Sequence, residues 1–142
     1  MACPYFYPTE AMDGKRWPSP PRLPLGDPYA GICKARAEPY VPGESALRNL
    51  CNQGYARGSC AEFPVDAGPD AIRFGIARDS GGIVRIAFIV ERDHLPHGHG
   101  AIEYSRELGW LLTEQLPASP AEEIRRKQTE AYLESFLRRK PA

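Results

Sequence analysis

From residue 70 onward the chain alternates. In AIRFGIARDSGGIVRIAFIVER the apolar residues Ile72, Phe74 and Ile76 are interleaved with Arg73 and Arg78, and Val84, Ile86, Phe88 and Val90 with Arg85 and Glu91. A period of two is the mark of strands, and Asp79-Ser80-Gly81-Gly82 between the runs supplies turn residues. This pattern predicts an antiparallel hairpin over 71–91. HLPHGHG, residues 94–100, then reads as a loop from its proline and glycines, and AIEYSRELGWLLTEQL as the start of a short helix.

The last run has a helical period. Ser119-Pro120-Ala121-Glu122 is a capping box with proline at the first helical position, and the segment ends on the cations Arg138, Arg139 and Lys140, which suit a helix C-terminus. A helix over 120–139 is expected, burying Ile124, Ala131, Tyr132, Leu133 and Phe136. In the first half only ESALRNLCNQG has such a stripe, with Gly54 placed to end it and Cys51 in its last turn.

Composition separates the two halves. Ten of the fifteen prolines and all four cysteines lie in residues 1–66. WPSPPRLPLGDP, residues 17–28, cannot be helix or central strand, because proline fixes its own φ and restricts the residue before it. The N-terminal half is nevertheless rich in aromatic residues, with Tyr5, Phe6, Tyr7, Trp17, Tyr29 and Tyr40, unlike disordered sequence. The expected fold is therefore α+β, one domain over 1–142. An irregular Pro/Cys-rich N-terminal half (1–66) surrounds a metal site, and residues 67–142 supply a small antiparallel β-sheet (hairpin 71–91) and a long C-terminal helix.

Formal net charge is zero over 142 residues, so no global field draws the chain to nucleic acid or anionic lipid. MACPYFYPTE has no leader-like charge and apolar pattern, and no apolar run approaches the roughly 18 residues of a membrane span. A cytoplasmic protein without a membrane partner is expected, and a reducing compartment weighs against structural disulfides.

That leaves the thiols for metal. Cys3, Cys33, Cys51 and Cys60 are separated by 29, 17 and 8 residues. CNQGYARGSC (51–60) resembles the first half of a CCCH zinc finger. The resemblance covers ten residues, no third cysteine follows at a short interval, and no histidine closes the set, so that family's RNA binding is not carried over. Zinc sites built on close Cys-x2–4-Cys knuckles are absent. Four thiolates from distant loops suit a [4Fe–4S] cluster better, with Zn2+ as the alternative. Tyr55 and Arg57, between the last two cysteines, are expected beside the bound centre, and Tyr5, Phe6, Tyr29 and Phe63 around it.

His94, His97 and His99 fall within six residues and form a possible second metal or general-base site. The expected function is a four-cysteine protein, not an enzyme on its own, in electron transfer or as a redox-responsive accessory to a protein partner. The rivals are a zinc-stabilised module that binds protein or, through the basic C-terminal helix, nucleic acid, and a metal-dependent hydrolase using the histidine loop.

Overall fold

The computed structural model describes residues 2–12, 25, 28–57, 59–64, 68–110 and 120–139. Two antiparallel sheets dominate it. Strands β1 (Phe6–Ala11) and β2 (Tyr29–Cys33) form the first. The second has the order β3 (Ala71–Ser80), β4 (Ile83–Arg92), β5 (Leu95–Ser105) and β6 (Gly109–Trp110). A short helical turn, α1 (Glu44–Ala46), runs into a π-helical turn at Leu47–Cys51, and α2 (Pro120–Arg139) closes the chain.

The α+β expectation is thus corrected: six strands in two sheets make the fold mostly β. The N-terminal half is not an irregular wrap organised by a metal, because it has its own sheet and is bonded to the second one. Ala2 and Ile72 exchange both backbone hydrogen bonds, at 2.8 and 2.9 Å. Residues 13–24, with most of the proline-rich segment, lie outside the described residues, although Leu25 beyond them is fully buried.

The hairpin does form, but as half of a four-stranded sheet. Gly81 and Gly82, at φ +61° and +79°, make its two-residue turn, the left-handed pair that matches strand twist. The loop and helix expected from 94 onward are instead β5 and β6, with 111–116 outside the described residues. Pro96 is accommodated near the start of β5, where the register with β4 shifts between Val90 and Glu91. Gly100 is required by packing: a Cβ there would meet the Phe88 ring at 2.6 Å.

One face of this sheet carries Phe74, Phe88, Ile76, Ile86 and Ile102, and α2 packs toward it. Tyr132 stacks on Phe74 at 5.7 Å, and the Arg125 guanidinium lies over Phe88 at 5.1 Å. The core continues under both sheets through Phe6, Leu25, Tyr29, Leu47, Ile72, Val84 and Leu133. Polar ties cross it: the Tyr29 hydroxyl donates to the Ala131 carbonyl at 2.8 Å, locking β2 to α2. No described helix is long and apolar enough to cross a membrane.

Candidate functional site

The four cysteines come from four different segments, each fixed by its own backbone bonds. Cys3 lies in the turn before β1. Its N–H donates to the Cys51 carbonyl at 3.1 Å, and its carbonyl accepts from the Phe6 N–H at 3.1 Å and from Gln128 Nε2 at 2.7 Å. The second Gln128 donor reaches the Phe6 carbonyl at 2.7 Å, so α2 holds the whole turn.

Cys33 ends β2 and exchanges both backbone bonds with Tyr40. Cys51 ends the π-helical turn, where the Asn52 N–H bonds the Leu47 carbonyl five residues back at 3.1 Å. Such wide turns are uncommon and often lie at functional sites. Here the cause is visible: the fully buried Asn52 amide accepts from the Tyr29 N–H and donates to the Tyr29 and Leu47 carbonyls, stapling the helical turn to β2.

Cys60 sits in the loop that follows, its N–H on the Ala56 carbonyl at 2.7 Å. That loop is clamped from outside. Arg57 Nε donates to Asp70 at 2.6 Å, and Tyr55, at φ +56°, donates its hydroxyl to Glu91 at 2.6 Å. Burial pushes the Asp70 carboxyl up, but the Asp93 N–H and the Arg57 guanidinium outweigh it and hold the group below the ordinary carboxylate value. The Tyr55 phenol is pushed up to about 12 by burial and then by Glu91.

All four cysteines line one recess, walled by Tyr5, Phe6, Tyr40, Leu50 and Phe63 among others. Tyr5 from the Cys3 segment and Phe63 from the Cys60 segment meet edge to face at 5.3 Å. Tyr29 belongs to the core, and Tyr55 and Arg57 are not wall residues. Arg57 acts through Phe63, stacking its guanidinium on that ring at 4.7 Å.

The thiols feel one another. Burial pushes Cys51 up to about 12, with further upward contributions from Cys3, Cys33 and Cys60. Cys3 is also pushed up to about 12 by burial, against N–H donors from Tyr5 and Phe6, with Cys33 and Cys60 adding to the rise. Cys3 and Cys51 are therefore protonated at neutral pH. All four are free, with no disulfide between them.

Among the described residues no three His, Cys, Asp or Glu side chains are grouped so as to hold one metal ion. The expectation of a fold built around a metal is corrected on this point too. The histidines do not converge into such a group: His94 lies in the β4–β5 turn stacked on Tyr55 at 4.1 Å, and exposed His97 and His99 lie on β5. Three cations of α2 are engaged within the fold. Arg125 covers Phe88, Lys127 is 3.8 Å from Glu130, and Arg138 donates to the Tyr29 hydroxyl at 2.9 Å.

No protein-family model matches the chain, no curated protein matches its sequence, and no solved structure matches its fold.

Proposed function

We propose that the chain is a small cytoplasmic iron–sulfur protein whose Cys3, Cys33, Cys51 and Cys60 thiolates hold one [4Fe–4S] cluster, and that it serves a protein partner in electron transfer or as a redox-responsive accessory. The observation that carries this reading is the convergence of four cysteines, from segments far apart in sequence, on one largely apolar recess.

The donor set suits the group. Common clusters are ligated by four cysteine thiolates, and N–H donors to sulfur such as those of Tyr5 and Phe6 on Cys3 favour the thiolate form. A tetrahedral zinc needs four sulfurs about 2.3 Å from a single point. A bound cluster supplies one-electron chemistry. The chain's own part is to position the sulfurs and keep water off them with Tyr5, Phe6, Leu50 and Phe63.

Anaerobic purification or reconstitution tests this, with iron, acid-labile sulfide and zinc measured per chain beside the visible spectrum. Four irons and four sulfides with a broad brown absorption are expected, and Cys51→Ser should abolish them. A colourless chain carrying one zinc would establish the structural zinc reading instead. A chain that takes no metal and stays folded in chelator would leave the cysteines as core residues.

A further inference from the structure

We infer that Arg57 is the positioning residue of Cys60, and that Cys60 is the ligand the four-cysteine site releases first. This deepens the cluster reading and rests on it.

The four cysteines are not held alike. The Cys3 N–H donates to the Cys51 carbonyl, which bonds those two segments to each other, and Cys33 pairs with Phe6 across the first sheet and with Tyr40 beyond it. Cys60 has no such tie. Its N–H and that of Ser59 both go to the Ala56 carbonyl, at 2.7 and 2.9 Å, and its own carbonyl accepts from the Phe63 N–H at 3.1 Å. Among the described residues, no backbone bond joins 59–63 to another element. Cys60 is also only half-buried, whereas the other three cysteines are buried.

Side chains fix this segment instead. Arg36 holds Glu62 at 2.8 Å, and the Tyr5 ring meets Phe63. The third tie is Arg57, which spans Cys60: it precedes it in the chain, and its guanidinium lies over the Phe63 ring at 4.7 Å and donates to the Pro64 carbonyl at 3.4 Å. The same guanidinium is anchored on Asp70, Nε to Oδ1 at 2.6 Å, and on the Gly68 carbonyl at 3.0 Å. Asp70 is itself immobilised, its N–H on the Glu91 carbonyl and its Oδ2 on the Asp93 N–H, both at 2.8 Å. Arg57 therefore carries the position of the second sheet to the Cys60 segment in one step. A planar fork can hold a carboxylate and two carbonyls at once, which neither a lysine ammonium nor an amide reproduces.

A segment opens locally at a cost set by its own contacts. Cys3, Cys33 and Cys51 can leave a bound centre only by breaking backbone bonds to other elements, whereas Cys60 needs only its side-chain ties to give. Release breaks one iron–sulfur bond, whose electron pair stays on the Cys60 sulfur. The thiolate then takes a proton from water, leaving hydroxide, and no electron changes hands.

Alkylation of the reconstituted chain, mapped by mass spectrometry, tests the order, since a sulfur bound to iron is shielded from iodoacetamide until it lets go. Cys60 should be the first cysteine modified, and Arg57→Gln should speed its modification about tenfold. Arg106→Gln, which removes the Arg106–Asp79 pair at the other end of β3, should modify at the wild-type rate. In the metal-free chain, hydrogen exchange of the Cys60 and Phe63 N–H groups should quicken about tenfold in Arg57→Gln while that of α2 is unchanged. Modification of another cysteine ahead of Cys60 or of all four together, a wild-type rate in Arg57→Gln, or faster exchange that spreads over α2 would each overturn the inference. A wild-type chain that takes no iron would overturn the cluster reading and the release order together, whereas a loaded wild type that frees another cysteine first would overturn this inference alone.

Discussion

Asn52 makes three hydrogen bonds from a fully buried position, two of them to the backbone of Tyr29. Asn52→Ala would strand a buried N–H and weaken the satisfaction of two carbonyls, at about 2–4 kcal/mol. The urea midpoint should fall accordingly, and occupancy of the proposed cluster with it, because Cys51 is the adjacent residue. A second test concerns Asp70. Its carboxyl is held below the value of 3.8 that the unfolded chain has, so its contribution is present above that pH and is lost as pH falls through the folded value. Asp70→Asn should therefore be less stable than wild type near pH 7, and the gap should close on acidification below pH 3.8. Asn52 and Gln128 were not legible beforehand. In CNQG and RKQTE the amides of Asn52 and Gln128 look like any solvated polar residue, since only long-range packing gives them backbone partners. The cysteines stood out by count and confinement. Their convergence on one recess came from the fold.

At Gly31, β2 passes close against β1. An added Cβ would collide with the Tyr7 carbonyl and come within 2.8 Å of Phe6 Cε1 and 2.9 Å of Pro8 Cα. Two of these are backbone atoms, which cannot turn away as a side chain does. Gly31→Ala should cost about 1–3 kcal/mol by overpacking, readable in thermal or urea unfolding, and should lower occupancy of the proposed cluster because Cys33 lies two residues on in the same strand. Strand β1 hid in the sequence because FYPTEA contains a proline, and β5 because HLPHGHG imitates a loop. In the fold Pro96 sits beside a register shift, and Gly100 makes room for the Phe88 ring. Where no such exception intervened, as in β3 and β4, alternation alone marked the strands.

Across the whole molecule, the thiols couple stability to pH. Cys3 and Cys51 rise from 9.0 to about 12 on folding. Groups raised in this way stabilise the fold fully below their unfolded value, and that stability is lost as pH rises through the folded value. The metal-free chain should thus show a urea midpoint that declines between pH 9 and pH 12, and a Cys3→Ser, Cys51→Ser double variant should show a shallower decline. A thiolate-binding guest acts in the opposite sense, releasing protons as it binds, so its affinity should grow with pH over the same range. The bond between Gln128 and Cys3 spans 125 positions of the chain. During synthesis Cys3 leaves the ribosome long before Gln128 is made, and for that interval its turn has no helix to hold it. The turn that carries Cys3 is therefore held in place only once α2 has docked against it.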